Sequence, residues 1–259
     1  MLGSISNDLL APQGDYMVVD PLMTFSALAY FLLAWLGYSH YAKKRAQRGV
    51  KPSLSRAMRR HRVLWAQRML DRENRIIDAS LLANQERIVG FFASATLIIL
   101  AAVLTALSRA EELQVLARHV SPRGDISVQQ IELKLLVLLL IFVYAFFKIT
   151  WALRQYGFAS VLAGSAPVPT EMVDREARER FAFNFARLMD AAGHDNNSCL
   201  RAYYFALAVV FWFAGNLAFV AVTTIVVLVL ANREFRSSTV AKILRAEVAH
   251  QSVREIPED

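Results

Sequence analysis

Residues 72–107 read RENRIIDASLLANQERIVGFFASATLIILAAVLTAL, and this stretch decides the fold that the sequence predicts. It begins as a charged amphipathic helix and becomes an apolar block long enough to cross a bilayer. It contains no proline, and its one glycine, Gly90, stands where the apolar block begins. Pro52 and Ser53, further upstream, favour a helix start. We therefore predict one unbroken helix from Pro52 to Leu107.

Apolar blocks of this kind occur four times along the chain. A helix needs roughly 20 apolar residues to cross about 30 Å of hydrocarbon. Lipid offers the backbone no hydrogen-bond partner, so blocks this long and continuous predict helices. The predicted spans are residues 18–38, 88–107, 133–153 and 203–231.

These blocks predict an all-α polytopic membrane protein, a four-transmembrane-helix bundle with two long cytoplasmic helical extensions. The extensions are residues 39–87 and 154–202 of a single membrane domain, residues 18–231. We expect residues 1–17 to form an external N-terminal tail and residues 232–259 a polar C-terminal tail.

The distribution of Lys and Arg predicts the orientation in the membrane. Residues 41–87 carry thirteen Lys and Arg, whereas residues 1–20 carry none. Positive charge favours the cytoplasmic side, so we expect a multi-pass membrane protein with both termini and the 109–131 loop outside. One feature disagrees, because the tail after Ala231 carries five Lys and Arg. If the fourth block were a re-entrant pair, this tail would lie inside.

Composition limits the classes of partner. The net charge is +7, and much of the positive charge lies beside spans, which favours anionic lipid headgroups over nucleic acid. The single cysteine, Cys199, excludes an intramolecular disulfide and a cysteine metal cluster. We find no enzyme motif and expect no catalytic residue, cofactor or metal site.

The first extension predicts an amphipathic helix with a basic face. Apolar residues recur near one face at helical spacing, and Asp71–Arg75 and Arg75–Asp78 are predicted ion pairs along it. The basic side chains on the other face are candidates for contact with lipid or a partner. They are Arg56, Arg59, Arg60, Arg68, Arg72 and Arg75.

The second extension predicts another amphipathic helix. Thr170 is placed to cap its start, and Gly193 is placed to end it. We expect its aromatic face to pack on the first cytoplasmic helix. His194 and Asp195 then fall in a polar loop.

Three polar residues within or beside the spans are candidates for function. Lys148 is the most deeply placed charge, and it either snorkels to the headgroups or holds a carboxylate or an anionic substrate. Asn216 falls near the middle of the fourth block, and Asp78 lies with Glu86 just before the second span.

Small residues predict the helix packing, because in lipid close backbone contact supplies much of the attraction between helices. We predict that a stripe on the second span faces a similar stripe on the fourth. The stripe on the second span is Gly90, Ser94, Ala101 and Thr105, and that on the fourth is Ala214, Gly215 and Ala218.

Several segments, in order and spacing, resemble the domain-of-unknown-function 599 membrane proteins of bacteria and plants. They are RVLWAQRML, RIIDASLLANQ, FFASATLIIL, YYFALAVVFWF and REFRS. The resemblance covers roughly Pro21 to Ser238. It implies an integral membrane protein with several helical spans, which we expect in the bacterial cytoplasmic (inner) membrane. It transfers no activity.

We therefore expect a non-enzymatic multi-pass protein that acts through helix packing and a basic cytoplasmic surface in contact with anionic lipid or a partner. The alternative is a small oligomeric transporter or channel with Lys148, Asn216 and the Asp78–Glu86 region near its path. Membrane lipid is the expected partner. A homo-oligomer and an unidentified protein partner stay open, and nucleic acid is not expected.

Overall fold

The computed structural model describes residues 21–48, 54–120, 127–171, 174–235 and 241–243. Helices dominate this part of the chain, which contains no strand. The helices are α1 (Pro21–Arg48), α2 (Leu54–Leu70), α3 (Ile76–Ser108), α4 (Ala110–Val120), α5 (Val128–Gly164), α6 (Arg175–Trp212) and α7 (Asn216–Phe235).

Four of these helices, α1, α3, α5 and α7, are long and apolar enough to cross a membrane. The prediction of an all-α polytopic protein is confirmed. Helices α3, α5 and α6 each exceed 30 residues. At 1.5 Å per residue they are longer than about 45 Å, so they continue beyond a hydrocarbon layer of about 30 Å.

Helices α3, α5 and α6 pack side by side with alternating direction. Ser160 of α5 donates a hydrogen bond to Glu86 of α3 at one end, and Ala110 packs beside Ile131 near the other. Helix α2 lies on the first half of α6. We call the end of the bundle that holds α2 the α2 end, and the end that holds α4 the α4 end.

Helices α6 and α7 form a hairpin, which corrects the prediction of a single span over residues 203–231. Arg233 donates a hydrogen bond to the Tyr204 hydroxyl, 29 residues away. In one continuous helix these residues would be about 44 Å apart. The chain reverses at residues 213–215, where Gly215 has a φ of +133°, a conformation that glycine adopts without a Cβ clash.

The second half of α6 therefore lies inside the bundle and runs antiparallel to α7. Phe205, Val209 and Trp212 are buried on it, while Leu207 and Phe211 are exposed. Buried and exposed faces that are both apolar fit a helix at membrane depth.

Helices α1 and α7 are parallel, whereas four spans that alternate in direction would have an antiparallel first and last span. Tyr30 and Thr224 share a hydrogen bond of 2.8 Å, and further along both helices the rings of Tyr41 and Phe235 are 5.8 Å apart. The start of α1 and the end of α7 therefore lie at opposite ends of the bundle. The predicted tail 1–17 and most of 232–259 lie outside the described residues.

The predicted unbroken helix from Pro52 to Leu107 is interrupted between Leu70 and Ile76. Local side chains favour a turn there, because the Asn74 side chain accepts from the Ile76 amide. The predicted ion pairs also differ: Asp71 binds Arg178, and Arg72 binds Asp78. The structure does not describe residues 49–53.

Helix α6 begins after Asp174 and continues through Gly193, which we had expected to end it. Gly193 is buried, and a Cβ there would come within 2.9 Å of Arg62 Nη2. This glycine thus admits a guanidinium close to the helix backbone. The predicted packing of the two cytoplasmic helices agrees with the structure, in which the rings of Trp65 and Phe185 are 5.7 Å apart.

The predicted contact between small-residue stripes is wrong. Ser94, Ala101 and Thr105 are exposed, and α3 packs chiefly on α5 through a different face. That face is Asp78, Leu82, Val89, Ala93, Thr96 and Val103. A Cβ at Gly90 would meet nothing within 4 Å. Gly215 lies in the turn and Ala218 is partly buried on α7. Large apolar residues fill the interior instead.

Candidate anion-binding site

Basic side chains from several helices line two adjoining cavities at the α2 end. The larger, which we call the α2 cavity, is about 590 Å³ and includes Arg59, Arg62 and Arg187 in its lining. The smaller, which we call the α1–α5 cavity, is about 380 Å³ and includes Lys148. His194 and Arg201 line both cavities. The two cavities therefore share a cationic wall on α6.

One face of α6 supplies most of this wall. Arg187, Asp190, His194, Asn197 and Arg201 recur at steps of three and four residues, which places them along one side of a helix. Because α6 continues through Gly193, this face runs without a break from the part of α6 that packs on α2 into the bundle.

The carboxylates near the wall already accept hydrogen bonds from cations or an amide. Asp190 accepts from Arg59 Nε and Arg62 Nη1, each at 2.5 Å. Asp195 accepts from Lys148 Nζ and Gln155 Nε2, each at 2.8 Å. The α2 cavity as a whole has four arginines and two carboxylates, Asp190 and Glu234, in its lining. An excess of positive charge remains.

Whereas Arg187 is exposed, Arg201 is a partly buried cation of this wall. Its Nη2 donates to the Ser198 hydroxyl at 3.0 Å, and within the described residues it forms no ion pair with a carboxylate. It lies in the part of α6 that packs inside the bundle, next to the buried Ala202. A partly buried guanidinium retains donors for an anion that enters either cavity.

Lys148, predicted to snorkel or to hold an anion, holds a carboxylate. Its ammonium binds Asp195 of the neighbouring helix and is partly exposed to the α1–α5 cavity. The geometry thus matches one of the two functional alternatives, and it also places Lys148 beside Arg201.

The described arginines among those predicted for lipid or partner contact lie in different surroundings. Arg60 and Arg68 are exposed on α2, and Arg59 binds Asp190 while lining the α2 cavity. The side chain of Arg56 lies outside the described part of the structure. Arg72 and Arg75 make internal contacts instead.

These internal contacts join α2, α3 and the end of α5. Arg72 Nη1 and Trp65 Nε1 both donate to Asp78 Oδ1 at 2.6 Å. Arg75 donates to the carbonyls of Ala166 and Pro167. Asp78 is therefore a structural acceptor at the helix break, and a separate cavity of about 370 Å³ lies between it, Glu86 and Ser160.

Asn216 was predicted to lie near the middle of the fourth span. In the structure it is the first residue of α7, at the α4 end. Its Oδ1 accepts a hydrogen bond from Trp212 Nε1 at 2.8 Å, and this bond joins the end of α6 to the start of α7 across the hairpin turn. Lys148, Asn216 and Asp78 thus lie in three different places, and the structure does not bring them to one path.

Sequence reasoning missed Arg62, His194 and Arg201 as members of one site. The available signal was the regular spacing of polar residues on α6. We did not recognise it, because Gly193 was interpreted as the end of the helix. The sequence reasoning also missed Lys134, a buried lysine whose Nζ lies 5.7 Å from the Trp212 ring centroid. No sequence motif marks that contact.

Comparison with known proteins identifies a family but no function. Neither a curated protein nor a solved structure matches the chain significantly. The family described as "Protein of unknown function, DUF599" matches residues 26–239, which include every helix from most of α1 to α7 and both basic cavities. The resemblance found in the sequence is confirmed, and the chain belongs to the DUF599 family.

Proposed function

We propose that this multi-pass protein of the bacterial cytoplasmic membrane binds a phosphate-bearing anion in the two basic cavities at the α2 end. It acts as a binding protein and not as an enzyme. The observation that carries the proposal is Arg201, which lines both cavities and has no carboxylate partner among the described residues.

The chemistry of the wall suits a phosphate. Arginine presents a planar set of donors that matches phosphate in a bidentate geometry. Arg62 of α2 and Arg201 of α6 both line the α2 cavity, so an anion there can meet donors from two helices. The phosphate can belong to a soluble compound or to a lipid headgroup, and the experiment below includes both.

We propose that the α2 end faces the cytoplasm. Residues 41–87, with their thirteen Lys and Arg, are joined to this end, and the basic tail after Ala231 leaves α7 at the same end. The Ile243 carbonyl lies 3.4 Å from His61 Nε2 of α2, which agrees with this placement of the tail. The start of α1 then faces outside. With a hairpin in the fourth block, the basic tail after Ala231 lies on the same side as the basic residues 41–87, so the charge distribution no longer conflicts with the topology.

The alternative of a small transporter or channel has less support. It required Lys148, Asn216 and the Asp78–Glu86 region beside one path, and these residues lie apart. An oligomer or a protein partner is compatible with the proposal but is not required by it.

The test is a binding titration of the purified full-length protein in detergent. The probes are inorganic pyrophosphate and dioctanoyl phosphatidylglycerol, with dioctanoyl phosphatidylcholine as the zwitterionic control. We expect Arg201→Gln to weaken binding of an anionic probe about tenfold, since hydrogen bonds to charged groups contribute about 1.5–3 kcal/mol.

The matched control is Arg180→Gln, which removes the same charge from the same helix. Arg180 forms an exposed ion pair with Glu176, away from both cavities. Equal anion affinity for Arg201→Gln and Arg180→Gln, or no binding of either anionic probe by the wild type, would overturn the proposal.

A further inference from the structure

The α1–α5 cavity lies in a gap between two membrane-spanning helices. The backbone of α1 packs on α7, and that of α5 packs on α3 and α6. Side chains bridge the gap, where the rings of Trp35 and Tyr144 are 5.6 Å apart. Leu36 lines the cavity and is 65% exposed, so the cavity is reached from the side of the bundle.

The lining of the gap combines apolar and basic side chains. Leu36 of α1 and Tyr144 of α5 lie on its two sides, and Lys148, His194 and Arg201 supply basic groups to the same lining. Ser39 adds a hydroxyl group that can donate a hydrogen bond to an anion. A ligand that fits must therefore carry a negative charge next to an apolar body.

The position along α1 places this gap at the level of lipid headgroups and upper acyl chains. Leu36 is six residues from Ala42, where the apolar span ends, which is about 9 Å along a helix. Towards the α4 end, one turn from Leu36 and from Tyr144, Leu32 and Leu140 are exposed on α1 and α5. Acyl chains can follow this apolar track while a phosphate meets Arg201.

We infer that the anion is the headgroup of a diacyl phospholipid that enters sideways between α1 and α5. The phosphate binds Arg201 on α6, and the acyl chains lie over Leu36 and Leu140. This inference rests on the proposed function, since it requires anion binding at Arg201. It adds the class of ligand and the route by which that ligand arrives.

The test separates the headgroup from the acyl chains. Binding of glycerol 3-phosphate, dioctanoyl phosphatidylglycerol and dioctanoyl phosphatidylcholine is titrated with the wild type and with two variants, Leu36→Ser and Leu140→Ser. Each variant should weaken phosphatidylglycerol binding about threefold to tenfold, because contact between the acyl chain and a leucine is lost. Leu140→Ser should not change the affinity for glycerol 3-phosphate, because Leu140 is not part of the cavity lining.

Leu104→Ser is the matched control, since Leu104 is a similarly exposed leucine on α3. It should leave phosphatidylglycerol affinity unchanged. Equal effects of all three Leu→Ser variants, or no preference for the diacyl lipid over glycerol 3-phosphate, would overturn lateral lipid entry. In that case an Arg201-dependent affinity for glycerol 3-phosphate would still support the proposed function, and loss of that dependence would overturn both.

Discussion

Removal of the Lys148 ammonium should destabilise the bundle through the carboxylate that it binds. Lys148→Met keeps the apolar stem but leaves Asp195, whose side chain is 11% exposed, with Gln155 as its hydrogen-bond donor. Breaking a fully buried ion pair costs about 3–5 kcal/mol. The Lys148 side chain is 34% exposed, so water reaches the pair and we reduce the expected cost to about 2 kcal/mol.

The double variant Lys148→Met/Asp195→Leu tests the reason for this cost. Replacing both partners by apolar groups removes the isolated carboxylate, and such replacements are often nearly neutral. We expect its free energy of unfolding to lie closer to that of the wild type than to that of Lys148→Met. Arg175→Met is the control, because Arg175 forms an exposed pair with Glu179. It should have little effect.

The chain provides its own probe for the assay. Cys199 is the single cysteine and is fully buried, so a thiol-reactive dye reports unfolding during heating in detergent. At about 2–4 °C per kcal/mol, Lys148→Met should lower the Tm by about 4–8 °C. An unchanged Tm for Lys148→Met, or a double variant less stable than Lys148→Met, would refute this reasoning.

Three further predictions concern the fold, and the same thermal assay measures each. Asp78→Ala leaves two donors without their acceptor and should cost about 1–3 kcal/mol, whereas the exposed Asp71→Ala should cost about 1 kcal/mol or less; equal costs would contradict a structural role for Asp78. Gly215→Ala should destabilise the hairpin turn by about 1 kcal/mol or more, because its φ is +133°; a more stable variant would argue against this turn. Ser94→Leu should be nearly silent, whereas Ala145→Leu, at a fully buried position, should cost about 1–3 kcal/mol; the reverse order would restore the small-stripe packing.

The length and continuity of the apolar blocks predicted the helical class, because the bilayer strongly restricts the structures that can cross it. Helix ends were less predictable. At the turn before α3 the Asn74 side chain accepts from the Ile76 amide, and nothing in the apolar pattern marks this contact. Gly193 resembled a helix end, yet it is a point of close approach for Arg62, a long-range contact that sequence spacing does not report.

The candidate site was predictable only in part. Lys148 was identified from its depth in an apolar block. A carboxylate was predicted as one of its possible partners, but the residue, Asp195, was not. Arg201 was overlooked because the fourth block was interpreted as one span. Recognition of the turn at Gly215 would have placed Arg201 within the bundle.

The most direct test of an anion site at Arg201 is native mass spectrometry after release from lipid. The wild-type protein is reconstituted in vesicles that contain equal amounts of phosphatidylglycerol and phosphatidylcholine, and the lipids that stay bound are identified. The account predicts one retained phosphatidylglycerol on the wild type and on Arg180→Gln, and its loss from Arg201→Gln. Equal retention by all three proteins, or retention of phosphatidylcholine in the same proportion, would contradict it.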